Sequence, residues 1–475
     1  MTEWAGGGLQ NLIRQFDSAP GVFLNQYNLN SMTKISTINP ADKWSEKEKT
    51  IFRFFFLFFI IQALPLSVDI FKAVFGINWF NISYGDIFNI TRLSAKFIPG
   101  ADSFINWIIV AVLAAIGSVI WSRSKFKDQD YSTLYYWLRV IVRYRLAIGI
   151  IGYGFIKFFP LQAPFPSISN LNTSYGDFND WKIFSMSLGI VPNYESFLGS
   201  IEIIAGILLF FRKTATIGAL IILVFTGNVF ISNLAYDGGE HVYSIYLVSF
   251  ALFVLSFDAI RIYNLISLER PTEPNKFKPA LTSRQQTTRL VVKTLIIFFF
   301  VFLYGFKTYS GFRHDPYQFP RSKGLSKASG IYNVSEFKIN NKELPYSPTD
   351  SVRWKDVVFE KWATISIRSN RPVIVDSANY EQVFKKDEDR DYELVGSTGR
   401  HYYSYTADTL NHVLSLANKN PHYKGEKLVL NYSRPDSSTI ILSGINQQKD
   451  SVYVVLNKLD KKYPLSMGRR RVLKL

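Results

Sequence analysis

Seven blocks of apolar residues, each close to the length of a membrane-spanning helix, occupy the part of the chain before residue 307. They cover residues 51–74, 104–121, 140–160, 196–211, 214–234, 242–257 and 290–306. A helix needs about 20 predominantly apolar residues to cross the hydrocarbon core of a bilayer. The pattern therefore predicts about seven transmembrane helices, the first of them kinked at Pro65.

After the last block the pattern changes to short segments in which apolar and polar residues alternate. A polar linker at residues 307–328 leads into a region at residues 329–475. The alternating segments lie at residues 331–339, 354–359, 363–368, 427–432, 438–443 and 451–456. Alternation with a period of two, between turns rich in Asn, Asp, Gly and Pro, predicts an antiparallel β domain that is either a small barrel or a sandwich. This pattern of alternating segments and short turns resembles that of lipocalin-like domains.

Composition supports a membrane protein that carries an extramembrane domain. Of 475 residues, 48% are hydrophobic, 16% are aromatic and only 19% are charged, against roughly 25% charged in soluble domains. Disorder, collagen and coiled coil are excluded, and an ordinary cytosolic enzyme is disfavoured. The absence of Cys excludes disulfides, iron–sulfur clusters and thiol chemistry. Any redox role therefore requires a bound cofactor or a quinone.

The charge pattern gives an orientation. The net charge of +17 does not indicate a nucleic-acid partner, because much of the Lys and Arg flanks apolar blocks, and short basic loops stay in the cytoplasm. The basic residues of the second, fourth and sixth connections are Arg123, Lys125, Lys127, Arg212, Lys213, Arg261, Arg270, Lys276, Lys278, Arg284 and Arg289. We therefore predict a multi-pass protein of the bacterial cytoplasmic (inner) membrane, with a cytoplasmic N-terminus and a periplasmic β domain. Residues 1–50 lack the features of a secretory signal peptide.

The third block carries a polar stripe. Arg145, Gly149, Tyr153 and Lys157 are spaced by four residues and so share one face of a helix. Charged residues in membrane segments are costly and call for partners or a function. Arg139 and Arg143 lie nearer the predicted cytoplasmic surface, where we expect their side chains to reach lipid phosphates.

A carboxylate and an amide are predicted to meet this stripe. Glu202 in the fourth block and Asn228 in the fifth come to depths similar to that of Lys157, which makes Lys157 the preferred partner of Glu202. Two interpretations remain open, an ion pair that holds the helices together and a polar pocket that opens toward the far side. The candidate pocket residues are Arg145, Tyr153, Lys157, Glu202, Asn228, Asn233, Asp237 and His241.

Two spaced motifs carry a family resemblance. They read Arg145-Leu146-Ala147-Ile148-Gly149 with Gly154 and Lys157 following, and Gly199-Ser200-Ile201-Glu202-Ile203-Ile204-Ala205-Gly206 ahead of Arg212. This spacing resembles the signature of the DoxX-like integral membrane proteins. The resemblance implies a four-helix unit at residues 140–265 and an association with quinone-linked sulfur or thiol oxidation.

With that unit, the predicted order along the chain has seven parts. They are a cytoplasmic segment at residues 1–50, two helices with loops at 51–139, the four-helix unit at 140–265, a basic loop at 266–289, the last helix at 290–306, the linker at 307–328 and the β domain at 329–475.

The positions of the histidines limit which cofactors this protein could bind. None of the five His residues lies within an apolar block, which disfavours haem. Asp237, Glu240 and His241 form the one close group of metal-ligand types, and a polar hairpin explains that group better than a metal site. A quinone is the cofactor that remains open.

Three functions are compatible with these features, and catalysis stays undecided. The first is a DoxX-like quinone-linked redox or accessory subunit in which Glu202 accepts protons. The second is a non-catalytic envelope component that anchors the β domain to another membrane or envelope protein. The third, transport of a small anion along the stripe, is the weakest because the two halves do not repeat each other.

Overall fold

The computed structural model describes residues 44–64, 68–98, 103–273, 277–314, 320–377 and 390–467. The predicted N-terminal segment up to residue 43 and the predicted kink at Pro65 lie outside the described residues. The membrane-length helices and the β domain both belong to one unit, Thr50–Leu475.

Helices fill the part of the chain before the β domain, and one short helix follows that domain. They are α1 (Glu46–Ala63), α2 (Val68–Phe75), α3 (Tyr84–Thr91), α4 (Phe104–Arg123), α5 (Tyr131–Phe158), α6 (Ile168–Leu171), α7 (Asp180–Gly189), α8 (Pro192–Leu209), α9 (Ala215–Ala235), α10 (His241–Ser256), α11 (Ala259–Ile266), α12 (Ser283–Ile297), α13 (Tyr304–His314) and the late α14 (Pro464–Met467). A π-helical turn at Phe298–Leu303 joins α12 to α13. Each predicted apolar block is thus mostly helical over its described residues.

The predicted count of seven spans is not supported. Among the described residues, the helices long and apolar enough to cross a membrane are Phe104–Arg123, Ala215–Ala235 and the continuous Ser283–His314. Counting α10 and α11, which meet at a bend of 75°, as one span gives four. The helices α1, α5 and α8 fall short because charged residues interrupt their apolar sequence: α1 begins with Glu46-Lys47-Glu48-Lys49, α5 carries four basic residues, and α8 carries two glutamates.

Four helices pack around one another in the centre of the helical part. α5 lies against α8 and α10, and α9 lies against α8 and α10. The short helix α3 packs against both α5 and α13. It begins at a capping box, in which the Ser83 hydroxyl accepts from the Asp86 N–H and the Asp86 carboxylate accepts from the Ser83 N–H at 2.9 Å. It ends at Thr91, which is fully buried.

The β domain is a closed antiparallel barrel of eight strands, with β2 added beside β1. The strands are β1 (Gly330–Ile339), β2 (Lys342–Glu343), β3 (Asp356–Phe359), β4 (Thr364–Arg368), β5 (His401–Asp408), β6 (Val413–Asn418), β7 (Lys427–Ser433), β8 (Thr439–Ile445) and β9 (Ser451–Lys458). Strands β3 to β9 pair in sequence order, and β1 closes the barrel by pairing with both β3 and β9. Of the two predicted arrangements, the barrel is therefore the one present.

Apolar side chains fill the barrel interior. The buried cluster includes Tyr332, Phe337, Phe359, Leu414, Leu430 and Leu456. Strands β5 and β6 were not predicted. On β5 the residues His401, Tyr402 and Tyr403 are buried in succession, so alternation is lost at the start of this strand.

Candidate functional site

The polar stripe of α5 is buried, and each polar member contacts a different element. Arg145, Tyr153 and Lys157 are each less than 10% exposed. Arg145 reaches the end of α3, Tyr153 reaches the residue before α10, and Lys157 reaches α8. The stripe thus connects α5 to three neighbouring segments.

Arg145 binds the buried end of α3. Its guanidinium donates to the carbonyl oxygen of Thr91 at 2.9 Å and also to that of Leu93. The Tyr243 hydroxyl donates to the same Thr91 oxygen at 2.9 Å. The last carbonyls of a helix lack partners within the helix, and a cation there is favourable. Arg145 and Tyr243 therefore cap a helix end that packing has removed from solvent.

Glu240 joins Tyr153 to a second arginine. The Tyr153 hydroxyl donates to one carboxylate oxygen of Glu240 at 2.8 Å, and Arg92 forms an ion pair with the other. Asn233 accepts a hydrogen bond from the Glu240 N–H at 3.2 Å. Glu240 is consequently the centre of this cluster, although the sequence indicated it only as part of a weak metal-ligand group.

Lys157 and Glu202 form the predicted buried ion pair. The Lys157 Nζ lies 2.6 Å from Glu202 Oε1, and the two side chains are 8% and 3% exposed. The second oxygen, Glu202 Oε2, is buried without a hydrogen-bond partner among the described residues. A buried carboxylate oxygen of this kind can accept a proton or a hydrogen bond from a ligand.

Glycines permit the close approach that places this pair. A Cβ atom on Gly199 would lie 2.5 Å from the carbonyl oxygen of Gly154 and 2.3 Å from the Phe158 N. A Cβ atom on Gly206 would lie 2.4 Å from the Ile151 side chain. These glycines let α5 and α8 pack with their backbones nearly in contact.

Besides Arg145, Tyr153 and Asn233, which bind the groups described above, three more predicted pocket residues lie outside the Lys157–Glu202 pair. Asn228 is exposed on α9, whose buried positions are Ala215, Gly218, Ala219, Ile222 and Thr226. Asp237 is exposed in the turn after α9, with φ at +49°. His241 begins α10 and packs its ring 5.9 Å from that of Phe104. Asn228 matches Glu202 in predicted depth, but its helical phase directs it away.

No group of three or more potential metal ligands of the His, Cys, Asp and Glu types is found among the described residues. Along the stripe of α5, Arg145, Tyr153 and Lys157 instead bind backbone carbonyls or carboxylates. These contacts compensate the charges of the stripe and fix helix positions.

A second buried polar cluster joins the helical part to the barrel. Glu360, at the end of β3, accepts hydrogen bonds from the Ser169 N–H at 2.7 Å, the Ser169 hydroxyl at 2.6 Å and the Ile168 N–H at 3.2 Å. Burial raises the pKa of Glu360, although the Ser169 hydrogen bonds act to lower it. We call this contact the junction.

Further ionic groups lie beside the junction. Arg390 and Glu393 form a buried ion pair at 2.9 Å. Burial opposes ionisation of Glu393, but the charges of Arg390, Lys419 and Lys182, together with a backbone hydrogen bond, outweigh it and lower the pKa of Glu393. Lys182 on α7 is fully buried and donates to the carbonyl oxygen of Tyr392, and burial lowers its pKa to about 7. Sequence reasoning missed this cluster, because its members are scattered over loops and strands that carry no motif.

The barrel also carries an open cleft of about 570 Å³. It is lined by Ile331, Asn333, Val334, Ser335, Tyr346, Arg353, Lys355, Asp356, Arg368 and Leu459. Asp356 is paired with Arg400, and Arg353 donates to three backbone carbonyls. The lining therefore has three cationic side chains against one carboxylate that is already neutralised.

No family model, no curated protein and no solved structure matches this chain.

Proposed function

We propose that this protein is a non-catalytic envelope component in which the helical bundle holds the β-barrel in a fixed position for a partner protein. The junction carries this proposal. A carboxylate that accepts three hydrogen bonds from Ile168 and Ser169 ties the barrel to α6, the short helix after α5, by directional contacts. Directional, buried contacts restrict domain motion far more than a flexible linker does.

The bundle serves as the anchor in this proposal. Charged residues make α1, α5 and α8 less apolar than the other long helices, but those of α5 and α8 face the interior, where Lys157 pairs with Glu202. We therefore propose that these helices cross the inner membrane too, as a DoxX-like unit with additional spans. Basic loops between alternate helices favour a cytoplasmic N-terminus and a periplasmic barrel.

The basic cleft indicates the chemistry of the partner. Lys355 lines it half-buried, Tyr346 is 64% exposed at its edge, and Arg368 donates to the Ser174 hydroxyl. An acidic, extended segment of another envelope protein complements this surface, because carboxylates pair with Arg and Lys and Tyr supplies apolar contact.

Site-specific photo-cross-linking in cells tests the proposal. A photoreactive residue at Tyr346 should yield one discrete adduct, whereas the same residue at Leu410, 90% exposed in another turn, should not. Lys355→Glu should abolish the adduct, and Lys449→Glu, an exposed turn substitution, should leave it unchanged. An adduct that is insensitive to Lys355→Glu, or absent at every cleft position, would contradict the proposal. A reporter fused after Leu475 should be active only outside the cytoplasm.

One observation favours a second function, the quinone-linked role of a DoxX-like redox or accessory subunit. Glu202 Oε2 is buried with no partner among the described residues, next to the Lys157 charge. A quinol hydroxyl that donates to this oxygen, with Glu202 as proton acceptor, is the arrangement we propose for that role. Extraction of the purified protein followed by mass spectrometry tests it. Stoichiometric quinone that is lost in a folded Glu202→Gln variant would establish this role over the anchoring one.

A further inference from the structure

A basic cavity lies at the end of α5 remote from Lys157. It has a volume of about 30 Å³ and is lined by Tyr136, Arg139, Val140, Arg143, Arg212 and Phe257. At 1.5 Å per residue, Arg143 lies about 20 Å along the helix from Lys157. This cavity is thus separate from the Glu202 cluster.

One of its arginines is already neutralised. Arg139 forms an ion pair with Asp258 at 2.9 Å, and its guanidinium lies 3.8 Å from the ring centroid of Phe257. The Thr216 hydroxyl donates to the same Asp258 oxygen at 2.7 Å. The expectation that Arg139 reaches out to lipid phosphates is therefore not met, because an internal carboxylate binds it instead.

Arg143 has no such partner. It is 7% exposed, and no carboxylate pairs with it in the part of the chain that the structure describes. Its Nε is buried without a hydrogen bond, and its guanidinium lies 5.6 Å from the ring centroid of Tyr144. A guanidinium stays charged at physiological pH, and a buried charge without a counter-ion is strongly unfavourable. An anion bound beside Arg143 would supply the missing counter-charge.

Neighbouring groups add positive charge. Arg212, in the turn between α8 and α9, lines the same cavity. Lys293 on α12 reaches this turn, with its Nζ 4.0 Å from the ring centroid of Phe211. Beside Lys293, α12 presents exposed apolar side chains that include Leu290 and Leu295. The cavity thus opens where a basic cluster borders an apolar helix surface.

We propose that Arg143 and Arg212 bind a phosphate group. The planar, forked donors of arginine match phosphate oxygens. At about 30 Å³ the cavity is too small for acyl chains, so it receives only the charged end of a ligand. Two sources supply this chemistry, the head group of an anionic phospholipid whose chains lie along α12, and free inorganic phosphate.

Binding to the purified full-length protein in detergent tests the site. Native mass spectrometry and thermal shift would be recorded with dioleoyl phosphatidylglycerol and, separately, with inorganic phosphate. We expect the lipid to form a 1:1 adduct and to stabilise the wild type. Arg143→Gln should weaken binding at least tenfold, and Arg143→Lys should weaken it less. Arg212→Gln, in a surface turn where folding is less at risk, provides an independent variant and should also weaken binding.

The matched control is Arg284→Gln, an exposed position near the start of α12, which should leave binding unchanged. Saturable binding of inorganic phosphate but not of the lipid, with the same dependence on Arg143 or Arg212, supports the phosphate site and assigns it a soluble ligand. Absence of saturable binding to the wild type, or equal loss in the Arg284→Gln control, overturns the proposal. Competition of inorganic phosphate against the lipid adduct on the wild type provides a check that does not depend on any variant.

Discussion

The guanidinium of Arg145 donates a 2.9 Å hydrogen bond to the carbonyl oxygen of Thr91, the last residue of α3. The contact spans 54 positions of sequence and joins the middle of α5 to a helix end that has no access to solvent. Gly152 on α5 faces the same residue, since a Cβ atom there would lie 2.1 Å from the Thr91 hydroxyl oxygen. Arg145 and Gly152 on α5 thus fix the position of a second helix, α3.

Replacement of Arg145 by Met should destabilise the protein by about 3 kcal/mol or more. The change removes the Arg145 hydrogen bond to the carbonyl oxygen of Leu93 and one of the two hydrogen bonds to that of Thr91. An unsatisfied buried group costs about 1–3 kcal/mol. Thermal unfolding of the purified protein in detergent measures the effect. Arg145→Lys should recover part of the loss, and Arg123→Gln, at the exposed end of α4, should cause none. An unchanged unfolding temperature for Arg145→Met would contradict the capping role.

The Lys157–Glu202 pair should show strong coupling in a double-mutant cycle. Removal of either charge leaves the other buried and uncompensated, which costs about 3–5 kcal/mol. The combined Lys157→Met, Glu202→Gln change removes both charges, so it should cost clearly less than the sum of the two single changes. Unfolding free energies of the four proteins supply the test. Additive effects would mean that the 2.6 Å contact contributes no mutual stabilisation.

The sequence predicted the partner of Glu202 but not that of Arg145. The spacing of α5 and α8 sets the depths of Lys157 and Glu202, and depth was enough to pair them. Thr91 and Leu93 contribute backbone carbonyls, which carry no residue-type signal. For Asn228 the predicted depth was not enough, because depth does not determine which face of the helix a residue occupies.

Contacts on the outer face of the barrel explain why β5 was missed. Period-two alternation arises when one face of a strand meets solvent. Tyr402 on β5 and Ser366 on β4 are partners on the outer face. The short helix α6 covers them, since the Ser169 hydroxyl lies 2.7 Å from that of Ser366 and Asn170 donates to the Tyr402 hydroxyl at 3.4 Å. Contacts from a distant segment therefore removed the pattern that would have identified β5.

Replacement of Glu360 by Ala should weaken the junction. The change removes the acceptor of two backbone N–H groups and one hydroxyl, so we expect a loss of about 2–4 kcal/mol and faster amide hydrogen exchange at Ile168 and Ser169. Glu360→Gln should have a smaller effect because an amide oxygen still accepts. Exchange measured by mass spectrometry on the full chain reports on these amides directly. The exposed Glu343→Gln is the control, and protection of Ile168 and Ser169 that survives Glu360→Ala would refute the role of this carboxylate.

His401 should make the protein sensitive to mild acid. It is 4% exposed, and burial together with the Arg371 charge lowers its pKa to about 4, against about 6.5 in an unfolded chain. Above pH 6.5 the ring is neutral in both states, so stability does not depend on it. Between pH 6.5 and pH 4 only the unfolded state binds the proton, and stability falls by up to about 3 kcal/mol.

Unfolding measured from pH 7 to pH 4 on the wild type and on His401→Gln isolates this contribution as a difference. Asp391 acts with the opposite sign, because burial raises its pKa to about 6 and the folded state then retains a proton that the unfolded state releases. Both proteins contain Asp391, so its effect cancels. The difference should be constant above pH 6.5 and should shrink as the pH falls, since Gln cannot titrate. The exposed His422→Gln should follow the wild type, and a difference that does not vary with pH would show that His401 titrates alike in both states.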